Sequence, residues 1–579
     1  MNVRDLKSLT EISKSVRSAL LTLFWRSVEI SPRSEFYLHE MPAASLLRAP
    51  LDYTRNLSFQ SEFHQHTFMR CPHISVQDDD QEEFSHLTLT TEAITNRVPR
   101  GHMQSFRYQL PRWNLGTCVP EGILGPLGVI PLWHPSLRSL SLTTSCDCNG
   151  REDRVFPRHQ GCVIDLDRLR ELRRLCWKAP RREDVDVLSS AIRNNSQHLK
   201  SLELDFVDWE NLDLRYDAAF NWIDTIETAR DCCIFSTRIL RLPSSPTRSL
   251  LLFPDLQELS LSGIPIGTDL AKAIDITNVR SLTLRRCFGW HLFLARVIDR
   301  GIDVRLKTLE VQDLSHVSST SSGKQVLARF LDTFKGLERL SVSYVCPSIP
   351  EPDLWAHAAG HRDTLRRYVQ HERIYTGMDG PIWPCELDSP RLGMPNARFR
   401  TMQEDVSSNR LGSLNLECIG LACTPERMKP ILLPFIPKSC LKLIHIRQSA
   451  QDTRYRPWWA WERILEPTDM HFQGNALDFS VSFAKPNESI RKRWRLRRQL
   501  LGFVEWAFGC NGLGSLQFVV FGDFAHGGRE KESQVCFCQS REAGTFVEIT
   551  RDDSRWKQMA REYRDVLEAC PSETILFIS

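Results

Sequence analysis

Between Phe253 and Val345 one pattern constrains the fold more than anything else in the chain. Leucine-x-x-leucine-x-leucine, with aliphatic replacements, recurs four times: LQELSL from Leu256, VRSLTL from Val279, LKTLEV from Leu306 and LERLSV from Leu337. The starts are 23, 27 and 31 residues apart. In a strand successive side chains point to opposite faces, so the second and third leucines of each motif enter one core while their flanking residues point away from it. Segments of helical period lie between the motifs, such as KQVLARFLDTF, where Val326, Leu327, Phe330, Leu331 and Phe334 share one face. A strand plus a helix at this period cannot bury its own apolar side, but stacked copies can. The expectation is an α/β solenoid of short parallel strands plus helices.

The frame extends in both directions. TRNLSF from Thr54 and FSHLTL from Phe84 fit it, 30 residues apart, followed by LRSLSL from Leu137, LRRLCW from Leu172 and LKSLEL from Leu199. Between the last two, Val185, Leu188 and Ile192 share a helical face. The gap of 57 residues from Leu199 to Leu256 predicts one degenerate unit around residues 221–242. Weaker units follow from Leu365 (LRRYVQ), Leu411 (LGSLNL), Leu441 (LKLIHI) and Leu516 (LQFVVF), and their wide spacing marks insertions. The proline-rich piece 381–395 reads as a long loop. Together these units read as an irregular leucine-rich-repeat solenoid over residues 50–450, with C-terminal repeats and a capping region over 451–579. A short helical segment over residues 1–31 precedes it.

Stacked parallel strands place the outward residues of the central motifs on one concave sheet. These are Glu258, Ser260 and Ser262, then Ser281, Thr283 and Arg285, then Thr308, Glu310 and Gln312, then Arg339, Ser341 and Ser343. The candidate substrate surface is drawn from them: Glu258, Ser260, Ser281, Thr283, Arg285, Glu310, Gln312, Arg339 and Ser341.

Composition narrows the function classes. The chain of 579 residues has 41% hydrophobic and 25% charged residues and a mean hydropathy of -0.31, as expected for a folded protein with several domains or one long array. Lys and Arg number 74 against 71 Asp and Glu, a balance that argues against a nucleic-acid partner. The 18 cysteines are scattered, and Cys176, Cys287 and Cys346 sit beside motif strands as small hydrophobes, which suits a reducing compartment. The longest apolar window, residues 122–133, is broken by Gly125, Pro126, Gly128 and Pro131, so no membrane partner is expected and the protein is placed in the cytoplasm, the nucleus or both.

Signatures of catalysis are missing from the sequence. The glycines at 122, 125 and 128 and at 509, 512 and 514 do not follow a strand and open a helix as a phosphate loop must. There is no Gly-x-Ser-x-Gly elbow, no His-Glu-x-x-His pair and no P-loop lysine. Cys146, Cys148, His159 and Cys162 have poor spacing for structural zinc. The basic run RKRWRLRR from Arg491 reads as a helix with a charged face, with Trp494, Leu500 or Leu501, and Val504 on its apolar side. No catalytic residue, metal or cofactor is assigned, and the chain is expected not to be an enzyme.

Residues 5–30 read as an amphipathic helix followed by a strand with Val28 and Ile30 on one face. Their order, Asp5, Leu6, Leu9, Ser13, Lys14, Arg17, Leu20, Trp25, Arg26 and Val28, resembles the second half of an F-box. An F-box normally opens with a Leu-Pro-x-Glu helix, and Met1 stands where that half should end. The start site is therefore expected upstream, or the F-box is truncated. Near the other end, Gly522, Asp523, Phe524 and His526 to Arg529 form a run that resembles the last segment of a fungal F-box-like leucine-rich family. The resemblance implies docking of a Skp-type adaptor and cullin ligase through Leu6, Leu9, Ile12, Val16, Leu20 and Trp25, with an unknown protein substrate held on the repeats. That makes the chain the substrate-recognition subunit of a cullin-RING ubiquitin ligase. The alternative is a repeat scaffold with no ubiquitin role, in which the N-terminal helix is only a cap.

Overall fold

The structure is a computed structural model and describes residues 20–30, 49–60, 89, 91–109, 119–144, 163–181, 183–206, 235–242, 251–313, 320–346, 353–374, 396–447, 461–464, 493–496, 498–526, 534–540 and 545–571. The chain divides into two compact units. One comprises residues 1–365, 525–529 and 569–579, the other residues 366–524 and 530–568. Both are α/β, and their sheets are mostly parallel. Among the described residues no helix is long and apolar enough to cross a membrane.

The first unit carries a ladder of parallel strands: β1 (Ser27–Ile30), β2 (Asn56–Gln60), β3 (Ser105–Gln109), β4 (Ser139–Thr143), β5 (Arg174–Lys178), β6 (Ser201–Asp205), β7 (Glu258–Ser262), β8 (Ser281–Arg285), β9 (Thr308–Asp313) and β10 (Arg339–Cys346). Each pairs with the next without a register slip, so motif leucines stand opposite motif leucines, as in Leu202↔Leu259, Leu259↔Leu282 and Leu282↔Leu309. They are at most 1% exposed. β1 has Val28 and Ile30 buried and Ser27 and Glu29 exposed, the alternation read from the sequence. Helices Trp290–Asp299, Thr320–Asp332 and Leu354–Ala358 stack one against the next, each turning an apolar side inward. Val185, Leu188 and Ile192 are likewise buried on the helix Val185–Asn195.

Two expectations are corrected here. Leu89 is helical and 65% exposed, so FSHLTL supplies no strand at that leucine. The partner of β2 is β3, whose buried set is Met103, Phe106 and Tyr108. Aromatic rings take the leucine positions there, stacked at 6.4 Å, and that is why the motif was hidden. No strand is inserted between Leu199 and Leu256, because β6 pairs directly with β7. The extra chain instead contributes the helical turn Phe235–Ile239, packed on Val185–Asn195.

The chain turns sharply at the ends of several strands. Ala179, Gly263 and Arg286 directly follow β5, β7 and β8 and have φ of 53°, 62° and 52°. Their N–H groups extend the ladder, donating to the carbonyls of Asp205, Arg285 and Gln312 at 2.8–2.9 Å. At Gly263 an added Cβ would lie 2.1 Å from the Phe206 carbonyl oxygen. Gly263→Ala is therefore expected to destabilise the protein by about 2–4 kcal/mol through left-handed strain plus a backbone clash, read as a lower denaturant midpoint.

The second unit has β11 (Arg367–Ile374), β12 (Cys418–Leu421), β13 (Leu443–Arg447) and β16 (Phe518–Gly522) in parallel. β17 (Val535–Gln539) and β18 (Phe546–Ile549) then add antiparallel and close the run. A separate antiparallel pair joins β14 (Trp461–Ile464) to β15 (Arg493–Leu496). The basic run thus enters a strand and not a helix, and the helix Arg498–Phe508, which carries Leu500 and Val504, begins only after it. The unit placed at Leu411 is also shifted. Residues 410–413 form a tight turn capped by Asn409, and the strand motif is Leu416, Ile419 and Leu421, all fully buried. Residues 381–395 and the cluster at Cys146, Cys148, His159 and Cys162 lie outside the described residues.

Candidate binding surface

The slip-free register of the first unit arranges its outward side chains in three rows across the strands. From β5 to β10 the first row is Arg174, Ser201, Glu258, Ser281, Thr308 and Arg339. The second is Cys176, Glu203, Ser260, Thr283, Glu310 and Ser341, and the third is Lys178, Asp205, Ser262, Arg285, Gln312 and Ser343. Exposure falls from row to row. Arg174, Glu258 and Arg339 are exposed in the first, whereas Ser262, Gln312 and Ser343 are buried in the third.

The charges on this face pair among themselves. Lys178 Nζ lies 3.0 Å from Glu203, Arg174 Nη2 lies 3.1 Å from Glu258, and Arg285 Nε lies 2.6 Å from Glu310. Burial pushes the Glu203 carboxyl up, but the Lys178 ammonium outweighs it and holds the group below the usual carboxylate range. Cys176 is pushed the other way, up to about 12, chiefly by burial and then by Glu203, so its thiol stays protonated and is no nucleophile. A face whose opposite charges are locally matched has no long-range pull on a polyanion. It offers polar groups at short range to a surface that complements them.

The sequence-derived surface residues do share this face, in different states. Glu258 and Arg339 are exposed, and Ser260, Ser281, Thr283, Arg285 and Ser341 are half-buried. Glu310 and Gln312 are 8% and 0% exposed, because the chain's own Cys570 and Pro571 lie against them. Their covering was invisible to motif spacing, since the contacts span 259 and 260 residues of sequence. At the N-terminus, Leu6, Leu9, Ile12 and Val16 lie outside the described residues. Leu20 and Trp25 are half-buried, and Leu23 beside them is 61% exposed.

The second unit differs. The equivalent face includes Cys418, Leu443, His445, Arg447, Phe518 and Val520, all buried. A C-terminal helical segment covers it, broken at Tyr563 into Ser554–Glu562 and Arg564–Leu567, with Trp556, Met559, Tyr563 and Leu567 all buried. Tyr563 meets Phe518 edge-on at 6.3 Å, Arg367 ion-pairs with Asp565, and Arg447 donates to the Val566 carbonyl at 3.1 Å. Burial depresses the His445 pKa to about 3, with Arg447 adding to the effect, so the ring is a neutral part of this core. Gly420 leaves room for it, since an added Cβ would stand 3.4 Å from Arg447 and 3.3 Å from Val369. This face is filled by its own chain, which leaves the first unit as the place for a ligand. No family model matches the chain, and no curated protein matches it.

Proposed function

We propose that the chain is a leucine-rich-repeat protein that recognises a protein partner on the first row of its first unit. On this reading it serves as the substrate-recognition subunit of a cullin-RING ubiquitin ligase. The observation that carries the binding role is the continuous outward row Arg174, Ser201, Glu258, Ser281, Thr308 and Arg339, polar and open at its charged members. The ligase role rests on the F-box resemblance of residues 5–30, to which the half-buried Leu20 and Trp25 and the exposed Leu23 lend an apolar docking edge. The chemistry of ubiquitin transfer belongs to the other subunits.

Two measurements test these roles separately. The protein expressed from its true start site, together with a Skp-type adaptor, is expected to co-purify with it, and failure to do so ends the ligase role. Replacing Arg174, Glu258 and Arg339 together by alanine is expected to weaken partner capture at least about tenfold while leaving adaptor capture intact, because exposed ion pairs contribute only about 0–1 kcal/mol to stability. Unchanged partner capture overturns the row as the binding surface. A scaffold with no ubiquitin role is the second reading. It is favoured by the direct pairing of β1 with β2, which makes β1 itself a strand of the repeat sheet.

A further inference from the structure

On β9 two outward side chains hold main-chain groups. Glu310 Oε1 accepts the Cys570 N–H at 2.8 Å, and the Gln312 side-chain amide donates to the Pro571 carbonyl. Arg285 fixes the Glu310 carboxylate from the other side, with Nε at 2.6 Å from Oε1 and Nη2 at 3.1 Å from Oε2. Donation to Pro571 fixes the sense of the Gln312 amide, so its Oε1 is the free acceptor. Gln312 is 0% exposed, and no donor reaches that oxygen among the described residues. A buried acceptor without a donor is a standing cost. The residue whose carbonyl Gln312 holds is proline, the one residue that brings no N–H to the place. The segment is also strained, since Cys570, which is not glycine, has φ of 47°.

We propose that the Glu310–Gln312 pair is a docking site for the main chain of a partner protein segment, and that Ala569–Pro571 is its built-in, imperfect occupant. A partner segment with an N–H-bearing residue in the place of Pro571 completes the second hydrogen bond at Gln312 and displaces the chain's own segment. Recognition through main-chain groups accepts varied side chains at these two positions and discriminates against proline at one. This deepens the reading of the outward face of the first unit as the partner surface and rests on it.

The test uses the full-length chain and two labelled synthetic peptides, one spanning residues 568–575 and one identical but for Pro571→Ala. Fluorescence anisotropy is expected to show the alanine peptide binding about two- to tenfold tighter, the worth of one added neutral hydrogen bond. Glu310→Ala with Gln312→Ala abolishes binding of both. Pro571→Ala made in the chain itself slows hydrogen exchange at the Cys570 amide and weakens binding of both peptides, because the internal segment then fits better. Equal affinities, no binding of either peptide, or unchanged exchange overturns the proposal. The broader reading fails by a different result, unchanged partner capture by the Arg174, Glu258 and Arg339 variant, so the two failures are separable.

Discussion

Asn195→Ala is expected to lower the unfolding free energy by about 3–6 kcal/mol, since it strands buried main-chain groups worth about 1–3 kcal/mol each. Asn195 is 1% exposed at the end of the helix Val185–Asn195. Its Oδ1 accepts the Leu172 N–H at 2.8 Å, and its Nδ2 donates to the carbonyls of Leu169 and Ala191 at 2.7 and 2.8 Å. Leu172 opens the motif of β5 and Leu199 that of β6, so this one amide ties a repeat to the one before it. Alanine removes every donor and acceptor of the side chain without supplying a replacement. Urea unfolding should show a lower midpoint at unchanged slope, while the exposed neighbour Asn194→Ala should move it by less than about 0.5 kcal/mol. A loss for Asn195→Ala below about 1 kcal/mol would mean that the repeats are not tied this way.

The tie recurs with other residues, which bears on what a sequence can disclose. His134 precedes Leu137 and accepts the N–H of Met103 through Nδ1 at 3.4 Å. His361 precedes Leu365 and accepts the N–H of Leu337 through Nδ1 at 3.4 Å. Asparagine and histidine share no simple motif, so the position is found only from the hydrogen bonds. The strands themselves were legible wherever aliphatic residues marked the core, as at Leu256, Val279, Leu306 and Leu337, because burial dictates that period. They were illegible where rings did the same work, as at Phe106 and Tyr108, or where two frames competed, as at Leu411 and Leu416. The outward face followed from the same alternation, and its geometry as three rows followed from the register. What lies on that face did not. Nothing local to Glu310 or Gln312 signals that Cys570 and Pro571 return to them, and the same holds for Tyr563 on Phe518. Such contacts are set by where the chain ends up, not by its period.

Acid should weaken the first unit through the same ties. Burial lowers the pKa of His134 to about 4, with His102 adding to the effect. It lowers His361 to about 4 as well, where Lys335 assists and the Leu331 carbonyl and Asp332 oppose. Both rings are therefore neutral in the folded protein at pH 7, as acceptors at Nδ1 must be, and His361 Nε2 faces the Leu331 carbonyl at 3.0 Å as donor. In the unfolded chain the same histidines titrate near pH 6.5. Below that value the unfolded state takes up protons that the folded state refuses, so the stability is fully present above about pH 6.5 and is lost as pH falls toward the folded value. Each histidine removes about 1.4 kcal/mol per pH unit over that window, about 3 kcal/mol in all by pH 4. The expected result is a urea midpoint that drops steeply between pH 6.5 and 4. His361→Asn keeps a side chain able to accept the Leu337 N–H, as Asn195 does for Leu172, but has no proton to gain. It should match the wild type near pH 7 to within about 1 kcal/mol and exceed it at pH 4.5, with a shallower slope. His361→Ala should be weaker at both. Parallel pH profiles for the wild type and His361→Asn would show that carboxylates alone drive the acid response and that the ring does not titrate on unfolding.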